Sequence, residues 1–177
     1  MCRRTVPLIA LLSVVVVIAS CGGSVSVNNR GEVAVGAKTL NVASFPFTFR
    51  YPTSFQEATD SSVKTAHAVA LVGIPGEDSY IAVHLNGKGV MSLDALEAQA
   101  RHGLGASVLA TARERHAGIA MVAVTTSVTG RPDLQAIMYG FSASGRTWLI
   151  ECRSNASNRA SMKQWCLQAL DSLKPRA

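Results

Sequence analysis

Thr147-Trp148-Leu149-Ile150-Glu151-Cys152 is the stretch from which the fold is read. Side chains alternate across a strand with a period of two, so Trp148, Ile150 and Cys152 share one face. Further along, Met162, Trp165, Cys166, Ala169, Leu170 and Leu173 recur at helical spacing and form one apolar stripe, while Arg159, Lys163, Gln164 and Asp171 face away. That pattern predicts a helix over 156–173. Cys166 lies inside the stripe and Cys152 on the apolar strand face, so two independent periodicities agree on a Cys152–Cys166 disulfide that pins the helix to a sheet. A closed loop of about fifteen residues makes such a bridge worth roughly 3 kcal/mol through restriction of the unfolded chain.

Outward from this stretch the chain reads as strands joined by tight turns. Runs at 108–115, 119–128 and 134–141 are connected by His116-Ala117-Gly118 and Thr129-Gly130-Arg131-Pro132-Asp133, as antiparallel neighbours require. Upstream, 66–74 and 80–85 flank the turn Pro75-Gly76-Glu77-Asp78 and predict a hairpin. Phe45, Phe47 and Phe49 alternate with smaller or polar residues, and Pro52 ends their strand because it has no N–H to donate. A short amphipathic helix is expected from Ser92, a capping residue, through Leu93, Leu96, Ala100 and Leu104, with Asp94 near its positive end and Gly103 and Gly105 as its stop. No strand–helix–strand alternation occurs, which excludes a doubly wound parallel sheet. The expected fold is a single α+β domain over 39–177, an antiparallel sheet flanked by two helices. A Gly-, Ser-, Asn- and Val-rich tether over 21–38 precedes it.

The amino terminus has a different logic. Arg3 and Arg4 open it, an apolar run extends from Val6 to Ala19, and Ala19 and Ser20 lead into Cys21. This is the pattern of a secretory signal peptide over 1–20, and the run falls short of the roughly 20 apolar residues that a spanning helix needs. Arg3-Arg4 lacks the remaining pattern of a twin-arginine signal. Ile18-Ala19-Ser20-Cys21 resembles the bacterial lipobox. The resemblance implies cleavage before Cys21, a diacylglycerol on its thiol and an acyl chain such as palmitate on the new amino terminus. Each buried methylene contributes about 0.8 kcal/mol, so two or three chains hold a protein on a bilayer where one would release it. The expected location is therefore outside the cell, lipid-anchored to the outer face of its membrane. A chain rich in Ala, Val and Gly whose positive residues are mostly Arg points to an actinobacterium.

With 177 residues, the chain less its signal suffices for one compact domain. Its formal charge is +6, and the signal takes two of those charges away without removing an acid. The remaining excess favours anionic headgroups or an acidic partner, but no basic run interleaved with aromatics indicates nucleic acid. Of four cysteines, Cys2 leaves with the signal and Cys21 takes lipid, which leaves Cys152 and Cys166 together in an oxidising compartment.

No complete catalytic signature is present, and no cofactor is implied. Gly140-Phe141-Ser142-Ala143-Ser144 lacks the second glycine of a nucleophile elbow and falls in a hairpin. His67, His84, His102 and His116 have no metal-ligand spacing. Gly87-Lys88-Gly89 is a turn and not a phosphate loop, and the sequon Asn155-Ala156-Ser157 carries no weight in a bacterium. If Ile81, Val83 and Leu85 face inward, Tyr80 and His84 face outward, and with Arg113 and Arg115 they are the candidate ligand surface.

The order of elements, with Phe47-Thr48-Phe49-Arg50-Tyr51-Pro52 at the start and Asp171-Ser172-Leu173-Lys174 at the end, resembles the Mog/PsbP-like superfamily. Within it the likeness is to the LpqN-like lipoproteins of mycobacteria, and it covers roughly 40–175. Many relatives carry tryptophan three residues after the turn proline, where this chain has Phe55. The resemblance implies a non-catalytic module that binds a protein or a small lipidic or glycosidic ligand, and an antiparallel sheet flanked by helices. Two other readings are an exported hydrolase with a site assembled from distant residues and a structural spacer of the cell wall. A deep pocket joining a serine or carboxylate to a histidine would favour the hydrolase, and a shallow apolar groove would favour binding.

Overall fold

The computed structural model describes residues 36–58, 68–103 and 108–176. The signal segment, Cys21 and the tether as far as 35 lie outside the described residues, as do Ala66, His67, Leu104 and Gly105. Seven strands form one antiparallel sheet in the order β3-β4-β5-β9-β8-β7-β6. They are β3 (Gln56–Glu57), β4 (Ala70–Gly73), β5 (Tyr80–Lys88), β6 (Val108–His116), β7 (Ile119–Val128), β8 (Arg131–Ala143) and β9 (Arg146–Asn155). A smaller sheet, β1-β2-β10, is built from β1 (Ala37–Leu40), β2 (Phe47–Pro52) and β10 (Lys174–Pro175). Helices α1 (Leu93–Gly103) and α2 (Arg159–Asp171) complete the α+β domain.

The two faces of the large sheet are covered differently. On one, α2 and β2 close over Ile81, Val83, Met121, Tyr139, Phe141, Trp148 and Ile150 to make the main core. The alternating phenylalanines supply its centre: Phe47 packs at 5.4 Å from Trp148 and 5.5 Å from Phe141, with Phe45 at 5.5 Å from Trp148. Phe55 is fully buried edge-on against Trp165 of α2, so the aromatic plug persists without tryptophan there. Among the described residues the other face carries only α1, which rests Leu96 on Val122 and Val124 with Met91, Leu93, Ala100 and Val108 around them. The expected cap is present, with the Ala95 N–H donating to Ser92 Oγ at 3.2 Å.

The disulfide joins Cys152 of β9 to Cys166 of α2 across 14 residues, with Cα atoms 6.1 Å apart, inside the range such a bridge spans without backbone movement. Both cysteines are buried in the main core.

Several boundaries depart from the sequence reading: Gly87 and Lys88, read as a turn, belong to β5, and Arg131, Pro132 and Asp133, also read as a turn, open β8 because their strand pairs with β7 from Arg131 onward. Ala37 and Lys38, placed in the tether, belong to β1 and pair with Pro52 and Tyr51. Their signal is polar: Lys38 Nζ donates to the Phe55 carbonyl at 3.3 Å, and the Thr53 N–H to that of Gly36 at 2.9 Å. The last helix starts at Arg159, three residues late, because Asn155 Oδ1 accepts from the Ser157 and Asn158 N–H groups and holds 155–158 in a turn. Leu85 keeps the register of Ile81 and Val83, opposite Trp148, but is 39% exposed, and the ladder between β5 and β9 shifts register just beyond it.

Candidate functional site

The face that α1 only partly covers gathers the polar residues of β5 and β9. Register places Tyr80 opposite Arg153, Ala82 opposite Glu151 and His84 opposite Leu149. Glu151 is the hub, with only 7% of its surface exposed. His84 Nε2 lies 3.1 Å from Glu151 Oε2, Arg153 donates to Oε1 through Nε at 3.0 Å and Nη2 at 2.8 Å, and the Tyr80 hydroxyl donates to the same oxygen at 3.4 Å. The Arg153 guanidinium also lies 4.8 Å from the centre of the Tyr80 ring, a cation–π contact. Burial would raise the Glu151 pKa, but the His84 hydrogen bond and the Arg153 charge outweigh it and hold the carboxyl below its ordinary value. Tyr80 is pushed well above the ordinary phenol value, by burial first and the Glu151 charge second.

Beside this cluster an apolar cleft of about 140 Å³ opens between α1 and the sheet. Leu96, Ala100, Val122, Val124, Met138 and Leu149 form its walls. At its edge the Asn86 amide donates to Gln99 Oε1 at 2.9 Å and ties β5 to α1. Gly140 is the floor; a Cβ there would meet methyls of Leu96 and Leu149 at 3.3 Å, so the missing side chain lets α1 come down onto the sheet.

The four residues of the candidate ligand surface do not converge. Tyr80 and His84 are together, joined to Glu151 and Arg153, which the sequence reading had not included. Arg113 and Arg115 lie on β6, separated from β5 by β9, β8 and β7. Arg113 is held by Asp94 and Glu97 of α1, and those contacts raise its pKa. Arg115 Nη1 donates to the Gly118 carbonyl at 2.6 Å. A signal for Glu151 did exist: it is the one charge inside Trp148-Leu149-Ile150-Glu151-Cys152, and a carboxylate in a buried strand demands partners.

The remaining chemistry-bearing residues serve structure. His116 is bracketed by two carboxylates, Nδ1 at 2.8 Å from Asp171 and Nε2 at 2.9 Å from Glu114, and its ring stands edge-on to Tyr139. That arrangement fastens the end of α2 to β6. Ser142 lies within β8 and its hydroxyl donates to the Met91 carbonyl at 3.1 Å, anchoring the approach to α1. Among the described residues no group of three or more His, Cys, Asp or Glu side chains is placed to hold a metal ion, and no helix is long and apolar enough to cross a membrane.

A large antiparallel sheet with one helix on each face, and a small sheet closing the core, defines an α+β domain of the PsbP-like fold. Cyanobacterial PsbP (CyanoP) from Synechocystis sp. PCC 6803 has a solution structure similar over 89% of this chain and 98% of its own, with a TM-score of 0.57 and 12% identity. A crystal structure from Bacteroides thetaiotaomicron VPI-5482 is similar over 79% of this chain and 48% of its own, with a TM-score of 0.56 and 10% identity. No protein-family model and no curated protein sequence matches the chain. At such identities the likeness is one of fold.

Proposed function

We propose that this protein is a lipid-anchored accessory module of the cell envelope, an LpqN-like actinobacterial lipoprotein that binds a partner without catalysing a reaction. The lipobox-like Ile18-Ala19-Ser20-Cys21, at the end of an apolar run, supports export and anchoring on the outer membrane face. Binding without chemistry is carried by one observation: the polar groups around the cleft are engaged with one another. Glu151 is saturated by His84, Arg153 and Tyr80, Asn86 by Gln99, and Ser142 by a backbone carbonyl, while the cleft walls are aliphatic. At about 140 Å³ the cleft is below the roughly 300 Å³ where drug-sized pockets begin and close to the about 150 Å³ cavity that accepts benzene. Its occupant is one apolar group of that size, presented by a protein partner or by a lipidic or glycosidic ligand.

Two measurements test the reading. Mass spectrometry of protein from its native host should find no peptide from 1–20 and an acylated Cys21; an unmodified protein that needs no detergent removes the anchoring half. Co-purification from crosslinked membranes, comparing the natural chain with Ala100→Leu, should identify a partner whose yield falls when the cleft is filled. Turnover of ester substrates that vanishes in His84→Ala would replace binding with hydrolysis.

A further inference from the structure

A second site lies away from the α1 cleft, at the end of the domain where the β8–β9 hairpin meets the loop between β1 and β2. A trough of about 610 Å³ is bounded there by Ser44, Phe45, Pro46, Ser144, Arg146 and Arg176, with Ala43 and Trp148 beneath. Its two cations are positioned by backbone. Ala143 pairs with Arg146 across a two-residue turn in which Ser144 (φ 49°) and Gly145 (φ 71°) are both left-handed, the tight hairpin geometry that fixes the first residue of the returning strand. Arg176 is held from the other side: its N–H donates to the Pro46 carbonyl at 2.8 Å, and its guanidinium donates to Asn41 Oδ1 and the Ala43 carbonyl.

The partners of Arg176 among the described residues are neutral, so they orient the guanidinium without cancelling its charge. Arg113, by contrast, pairs with Asp94 and Glu97, Arg131 with Asp78 and Asp133, and Arg153 with Glu151. Among the described residues no carboxylate lines the trough and none pairs with Arg146 or Arg176. Two uncompensated guanidinium groups and two serine hydroxyls around one concavity are donors awaiting an acceptor with several oxygens.

We propose that Arg146 and Arg176 form a binding site for a phosphate group, with Ser44 and Ser144 as additional donors. A phosphate group fits this donor set because its anionic charge is spread over two free oxygens in a diester or three in a monoester, which can accept from both guanidinium groups at once. The trough is large enough for the ester that carries the phosphate, which is either a soluble compound or the headgroup of an anionic lipid. The site is independent of the partner assigned to the α1 cleft.

Trp148 lines the trough and supplies the readout. Tryptophan emission of the full chain is titrated with inorganic phosphate, and separately with phosphatidylglycerol vesicles against phosphatidylcholine vesicles, at constant ionic strength set with sodium chloride. A saturable change that Arg146→Gln weakens by roughly tenfold or more, the loss expected on removing a charge-assisted contact, supports the site. Arg146 is exposed and outside the core, so this variant folds; Arg176→Lys, which keeps the charge but loses the fork, should weaken binding by a smaller factor. A response to phosphate but not to phosphatidylglycerol identifies a soluble ester, and the reverse identifies a headgroup. No saturable response to either probe, or an equal response in Arg146→Gln, overturns the proposal.

Discussion

Replacing Cys152 and Cys166 together by alanine should destabilise the domain by about 3 kcal/mol through the unfolded chain alone, because a closed loop of 14-residue separation removes that much loop entropy. Alanine is chosen over serine because the two side chains are 4% and 0% exposed, where a hydroxyl would be buried without a partner. Losing two sulfur atoms from the core adds a small cavity cost on top, of the order of 1 kcal/mol. For a domain of this size each kcal/mol shifts the melting temperature by about 3–4 °C, so the double variant should melt roughly 10 °C or more below the natural chain. The assay is urea unfolding followed by tryptophan emission, run on the natural chain, the same chain after reduction in denaturant, and the double variant. Reduction isolates the crosslink from the cavity, so it should reproduce most of the loss. A difference below about 1 kcal/mol, or two free thiols in exported protein, would refute the reasoning that the bridge is the strap between α2 and β9.

His116 makes stability depend on pH. Burial opposes its charged form, but the hydrogen bonds to Glu114 and Asp171 raise its pKa above the usual 6.5. The stabilisation is then complete below pH 6.5 and lost as pH rises through the raised value, so the urea midpoint should fall between pH 6 and pH 9 and His116→Gln should abolish most of that fall. Glu151→Gln should cost about 1.5–3 kcal/mol at neutral pH. Because the Glu151 pKa is lowered, its contribution is present above the ordinary carboxyl range and is lost as pH falls through the folded value; a gap from the natural chain that does not narrow on acidification below the ordinary carboxyl range would contradict this. Leu96→Ala should cost about 2 kcal/mol, the low end for a buried leucine, since the cleft beside it allows relaxation. Hydrogen exchange should show the loss concentrated in α1, and equal weakening of β8 and β9 would mean that α1 is not the independent layer described.

Most of the architecture was legible because it rests on periodicity. Period two in Phe45 to Phe49 and in Trp148 to Cys152, and period 3.6 from Met162 to Leu170, each marked a buried face, and all of those faces meet in one core. Edges were less legible. Ala37, Lys38, Lys174 and Pro175 lie in strands that only their partner β2 defines, and Asn155 delays α2 through a side-chain turn that apolar patterning does not report.

The site divides along the same line. Sequence alone determined the disulfide pair and the outward direction of Tyr80 and His84, because each depends on alternation within one strand or helical spacing within one helix. Tertiary structure alone decided strand order, and strand order decides neighbours. It put β9 beside β5, so Glu151 became the hub of Tyr80, His84 and Arg153, while three intervening strands carried Arg113 and Arg115 to the opposite edge. It also brought Arg146 and Arg176 to one trough from separate ends of the fold. Alternation tells a side chain which way to point; only the pairing of distant strands, set by how the whole apolar surface is buried at once, tells it what it will meet.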